Sequence, residues 1–135
     1  MTATRRKGTL MLLSRLAKRG LRATPESEMG MSIRHYMTLH SLPEPMPQSQ
    51  LAEQLCIDAN NTVILLNELE AKGWVRRERD LADRRRHVVA MTDAGREAYT
   101  RAQLSRDVVE DAVLGPLDAD ERQQLHDLLA KALGE

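Results

Sequence analysis

Apolar positions recur with helical spacing over most of this chain and switch to strand-like spacing in one stretch, between Trp74 and Met91. Residues 8–22 place Leu10, Leu12, Leu13, Leu16, Ala17 and Leu21 around more than one face. A helix of that kind is usually buried by more than one neighbour, and in so small a chain a second subunit is a candidate for one of them. Pro25 breaks the pattern, which resumes over 31–42 with Ile33, Tyr36, Met37, Leu39 and Leu42. Pro43, Pro45 and Pro47 make a rigid connector, and Pro47 suits the first turn of a helix over 48–56 that holds Leu51, Ala52 and Leu55. A turn through Cys56 and Ile57 leads to Asp58, a suitable cap for a second helix to about Lys72, where Gly73 ends it in a left-handed conformation.

Two strand-like runs follow, 74–79 and 87–91, joined by a loop rich in Asp and Arg. Thr92 can then cap a long helix over 93–114, striped by Ala94, Ala98, Ala102, Val108, Val109, Ala112 and Val113 and stopped by Gly115 and Pro116. Asp118 and Glu121 read as a capping box for a last helix with Leu125, Leu128, Leu129, Ala132 and Leu133 on one face. A short additional strand is expected just before the second helix of the central pair. Helix, turn, helix and basic hairpin describe a winged helix-turn-helix, which places a helix in the DNA major groove. The fold class is thus mainly α with a small β-hairpin, a winged helix-turn-helix domain with further helices before and after it.

Composition narrows the class. The 135 residues suit one compact domain, and no apolar run reaches the length of a membrane span, so no membrane partner is expected. Leu10–Leu13 is too short for a signal-peptide core, and one cysteine makes no internal disulfide, so a cytoplasmic protein is expected. The net charge is zero but unevenly placed: residues 1–22 hold seven cations and no acid, a local +7. Residues 72–87 hold seven cations against three acids, a local +4, and residues 107–135 two against eight, a local −6. Phosphate contacts need local cations only, because screening limits reach to roughly 8–10 Å.

The ordered set LAEQL, NELEAKGWVRR and ADRRRHVVAMTDAGREAY resembles the MarR family of bacterial transcriptional regulators over nearly the whole chain. The tightest match is Asp83, Arg84 and Arg85 followed by a strand and then Thr92-x-x-Gly95. The resemblance implies one winged-helix regulator over 1–135. Its DNA-binding lobe would span 25–92, with the helix-turn-helix at about 48–73 and the wing at about 74–91, and its dimerisation helices 8–24 and 93–135. It also implies a homodimer on palindromic operators in double-stranded DNA, usually a repressor released by a small molecule or oxidant.

The candidate base-reading residues are Ala59, Asn60, Asn61 and Asn67, with Thr62 beside them. An Asn amide bonds bidentately to adenine, although Asn60 and Asn61 equally suit a first helical turn. Ile64 suits either a thymine methyl or packing. In the wing, the resemblance gives Arg85 to the minor groove and Asp83 to an arginine that holds the loop in shape. Arg84 and Arg86 flank it for phosphates, and Arg76, Arg77 and Arg79 alternate along a strand, so one face of them meets DNA at most. Glu68 and Glu70 point away from DNA or pair with arginines. For an effector, the resemblance points to Leu13, Leu16, Tyr36, Met37 and His40, in a chain without Phe. Cys56 is expected as a buried structural thiol. His35 and His40, five apart, do not share a helical face, and no metal or other cofactor is expected. No nucleophile triad or phosphate loop suggests an enzyme. The competing class is a winged-helix protein-interaction module that does not bind specific DNA.

Overall fold

The computed structural model describes residues 8–23 and 26–135. The expected break at Pro25 and the cations Arg5, Arg6 and Lys7 lie outside the described residues. Contacts group the chain into two units, one of residues 25–106 and one of residues 1–24 with 107–135.

The first unit runs α2 (Glu26–Met29), α3 (Ile33–His40), β1 (Met46–Pro47), α4 (Gln48–Leu55), α5 (Ala59–Ala71), β2 (Val75–Arg79), β3 (His87–Met91) and α6 (Asp93–Gln103). The sheet has three antiparallel strands in the order β1-β3-β2, with Val75 opposite Met91 and Met46 opposite Val89. The additional strand therefore precedes α4, the first helix of the pair, and not the second as its sequence pattern suggested. Pro47 fits there because an edge strand tolerates a residue without an N–H. The core is Met31, Leu39, Leu42, Leu51, Leu66, Leu69, Val75, Val89 and Ala102, all fully or nearly fully buried.

Capping chemistry sets the element ends. Asp58 accepts the Asn61 N–H at 2.7 Å to start α5. At the far end Trp74 N–H reaches Leu69 O and Gly73 N–H reaches Glu70 O, a Schellman closure with Gly73 at φ 75°. Thr92 Oγ1 accepts the Gly95 N–H at 3.0 Å and donates to Gly73 O at 2.6 Å, while Thr92 N–H donates to Trp74 O. Gly95 sits so close to this junction that a Cβ there would lie 2.0 Å from Trp74 O. The Thr-x-x-Gly sequence thus locks the end of α5 to the start of α6.

The second unit contains α1 (Thr9–Ala23), α7 (Arg106–Leu114, from Asp107 on) and α8 (Ala119–Leu133). The single helix expected over 93–114 is two helices, because Leu104 and Ser105 form a turn. The Ser105 N–H bonds Ala102 O and its hydroxyl donates to Glu28 O at 3.3 Å, drawing the backbone out of the helical ladder. The Asp118–Glu121 capping box forms in both directions, at 2.9 and 3.0 Å. No described side chain of this unit is fully buried, and Leu10, Leu12, Val108, Leu128, Leu129 and Leu133 are exposed.

Candidate nucleic-acid interface

Two elements of the first unit present side chains suited to a duplex: the outer face of α5 and the wing between β2 and β3. On α5 the buried side is Thr62, Leu66 and Leu69. The opposite side, at helical spacing, is Asn60, Val63, Ile64 and Asn67, all exposed. Ala59 and Asn61 are exposed in the first turn. Of the expected base readers, Thr62 must be withdrawn: it is 1% exposed and its hydroxyl donates to Asp58 O at 2.7 Å. Asn61 also spends its amide locally, donating from Nδ2 to Asp58 Oδ2 at 3.0 Å. Ile64, half exposed on the same face as Asn60, packs against neither the wing nor α4 in a way that hides it. Val63 was missed, although its place three residues after Asn60 is the signal that would have found it.

The acids on α5 are bonded to neighbouring side chains at its flanks. Arg77 Nε and Nη2 each lie 2.9 Å from a Glu70 oxygen, and the Arg77 N–H reaches the same carboxylate at 3.2 Å. These bonds hold the Glu70 carboxyl below its usual range and push the Arg77 guanidinium up. Arg77 also donates to Asn67 Oδ1. It is thus a bracket between helix and strand and not a free phosphate contact. Glu68 accepts from His35 Nε2 at 2.9 Å, and the His35 ring meets Trp74 edge-on. Arg76 is exposed but paired with Glu78 at 2.9 Å.

The wing is shaped by its own acids. Asp80 Oδ1 accepts the Ala82 N–H at 2.9 Å. Asp83 Oδ1 accepts the Arg85 N–H at 3.1 Å and Arg85 Nε at 3.2 Å, and the arginine's bonds hold the Asp83 carboxyl below its usual range. The arginine that Asp83 holds is therefore Arg85 itself, whose side chain remains 91% exposed. Arg84 and Arg86 are exposed beside it. Arg79 reaches back to Arg84 O at 3.4 Å. A cleft lined by Gln48, Ser49, Ala52, Ala59, Thr62, Arg85, Arg86 and His87 joins the first turns of α4 and α5 to the wing. Gln48, Ser49 and His87 were not anticipated; α4 begins at Gln48 without a side-chain cap, and Gln48 Oε1 is buried without a partner among the described residues.

The other expectations fall as follows. Tyr36, Met37 and His40 lie together on α3, and Tyr36 stacks on Tyr99 of α6 at 5.3 Å. His40 Nδ1 lies 2.7 Å from the Tyr99 hydroxyl, and burial pushes the Tyr36 hydroxyl up. Leu13 and Leu16 are half-buried on α1, in the other unit. Cys56 is exposed, not buried: it takes the left-handed position at φ 54° that closes α4, which turns its side chain outward. Among the described residues no cluster of His, Cys, Asp and Glu could hold a metal, and no helix is long and apolar enough to cross a membrane.

A helix pair followed by a β2–β3 wing with an arginine in its loop, and with β1 completing the sheet from ahead of the pair, defines a winged helix-turn-helix fold. Residues 32–87 match the model of the MarR family. An uncharacterised HTH-type transcriptional regulator of Bacillus subtilis, YdgJ, is 33% identical over 95 residues, 70% of this chain and 58% of that relative, so the match spans under two thirds of the relative's length. Among solved structures, a probable transcriptional regulator from Pseudomonas aeruginosa superposes with a TM-score of 0.78 at 24% identity, covering 93% of this chain and 97% of that one. A mutant of MarR from E. coli complexed with operator DNA superposes at 0.75 with 23% identity, covering 91% of each. The chain is thus similar to the MarR family across its helix pair and wing.

Proposed function

We propose that the chain is a sequence-specific DNA-binding transcriptional regulator, acting in the cytoplasm as a homodimer on palindromic operators and working as a ligand-responsive repressor. The observation that carries this reading is the cleft in which Arg85 and Arg86 of the wing share walls with the first turns of α4 and α5. One rigid lobe can then set Asn60, Ile64 and Asn67 against base edges while Arg85 enters the adjacent minor groove and Arg84 and Arg86 meet phosphates. The mutant of MarR from E. coli with a similar fold is complexed with operator DNA, which supports a DNA-binding reading of this chain.

Homodimerisation is supported by the exposed apolar side chains of α1, α7 and α8, which a second copy would cover. Two recognition helices would then meet half-sites about 34–36 Å apart. The stacked Tyr36, His40 and Tyr99, with Met37 beside them, support an effector contact on α3 and α6. The test is selection of duplexes from genomic DNA, followed by base substitution in the half-site against Asn60→Ala. A good Asn–adenine pair is worth about 1–3 kcal/mol, so wild type should discriminate at one position by roughly 5- to 150-fold and the variant should not. Equal discrimination by both proteins would remove Asn60 from base reading.

A further inference from the structure

One bond between α5 and β2 bears on what α5 can read. Arg77 is held to Glu70 at 2.9 Å from both Nε and Nη2, and it also donates from Nη2 to Asn67 Oδ1. An arginine side chain has donors only, so the amide oxygen of Asn67, and not its nitrogen, must face it. Asn67 is exposed on the outer face of α5, and with Oδ1 engaged its Nδ2 has no partner among the described residues. The Asn60 side chain on the same face is not held in this way, having no hydrogen-bond partner among the described residues. The clamp is well anchored: Arg77 stands opposite the fully buried Val89 of the central strand β3, and its side chain is only 20% exposed. The paired bonds to one carboxylate fix the plane of the guanidinium.

We propose that Arg77 is a positioning residue that makes Asn67 a donor-only reader of guanine, an inference that rests on the DNA-binding reading above. A free Asn amide pairs with adenine by donating from Nδ2 to N7 and accepting from the N6 amine with Oδ1. Here the accepting half is engaged by a cation, whose charge opposes the approach of a second donor to the same oxygen. Only the donating half is offered to the duplex. In the major groove guanine presents two acceptors, O6 and N7, whereas thymine presents one beside its methyl group and cytosine presents a donor. Guanine is thus the edge that matches an amide with two N–H groups and no free acceptor. An amide held by a second residue also loses less freedom on binding than a mobile one, which sharpens the discrimination. A phosphate oxygen would accept the same N–H groups but would favour no base, so base substitution separates the two.

The experiment places each base in turn at every half-site position of the operator selected from genomic DNA and reads binding by fluorescence anisotropy. Wild type should favour guanine over adenine at one position by roughly two- to tenfold, the range of a single hydrogen bond. Asn67→Asp keeps an oxygen for Arg77 but has no donor, and its added charge weakens binding to every duplex alike, so the ratio between bases isolates the contact. The guanine preference should vanish in this variant, with an unchanged or raised melting temperature. Arg77→Met has no donor and releases the Asn67 amide, so the guanine-to-adenine ratio at that position should fall to one or below. A residue that only supported the fold would weaken binding to all duplexes equally and leave the ratio in place. Retention of the guanine preference in either variant, an adenine preference in wild type that Asn67→Asp removes, or an equal loss on every duplex would each overturn the inference. Arg85→Ala on the same duplexes reads the wing contact separately: a wild type without any preferred duplex, equalled by Arg85→Ala, would overturn the DNA-binding reading and the inference with it.

Discussion

Replacing Glu70 by Gln removes the charge that fastens the end of α5 to β2. In the native protein Arg77 makes two side-chain bonds of 2.9 Å to Glu70, with the Arg77 side chain 20% and the Glu70 side chain 36% exposed. Hydrogen bonds to charged groups contribute about 1.5–3 kcal/mol when shielded. The partial exposure of Glu70 lowers this toward the range of surface pairs, so Glu70→Gln should cost about 1–2 kcal/mol at pH 7. In a chain of this size that is a fall of roughly 3–6 °C in melting temperature, read by circular dichroism. The folded carboxyl titrates below its unfolded value of about 4.3, so its stabilisation is complete above that pH and is lost as pH falls through the folded value. The gap between wild type and variant should therefore be constant from about pH 5.5 upward and close below pH 4. Equal melting temperatures at pH 7, or a gap that persists undiminished in acid, would refute the bracket.

Three further changes test the local account. Gly95→Ala would drive a Cβ to 2.0 Å from Trp74 O, a backbone clash that should cost at least about 3 kcal/mol and show as a melting temperature lowered by roughly 10 °C or as loss of soluble protein. Cys56→Gly relieves a non-glycine residue at φ 54° and should raise stability by about 0.5–1 kcal/mol in urea titration; a destabilised variant would show that the thiol packs usefully. Thr62→Val deletes the 2.7 Å bond to Asp58 O inside the lobe and should cost about 1 kcal/mol of stability while leaving operator affinity unchanged, which separates a core residue from a base reader.

Elements defined by local chemistry were readable from residues alone: Asp58, Thr92 and the Asp118–Glu121 pair cap the helices they were expected to cap. Gly73 and Gly95 mark positions where backbone geometry leaves little choice of side chain. Legibility failed where long-range contacts override local pattern. The apolar stripe over 93–114 runs on through Leu104 and Ser105, and nothing nearby in sequence announces that the Ser105 hydroxyl bonds Glu28 O. Two-residue β1 exists only because β3 is there to pair with it. Within the site, exposed and buried positions of α5 differ by one residue of helical phase, so Thr62 faces the core while Val63 beside it is exposed. Arg77 resembled its neighbours Arg76 and Arg79, and only the fold brings Glu70 and Asn67 to it. Cys56 was misplaced because its exposure goes with its place in the left-handed turn that closes α4, not with its residue type.

The most direct measurement is a fluorescence-anisotropy titration of wild type and Arg85→Ala against genomic duplexes, beginning upstream of the protein's own gene, at several salt concentrations. The wing geometry, with Arg85 exposed and anchored by Asp83, predicts tight binding to a few palindromic fragments that Arg85→Ala abolishes. Weak binding to every duplex, with a steep salt slope and no effect of Arg85→Ala, would leave only the sequence-independent phosphate attraction and contradict the account.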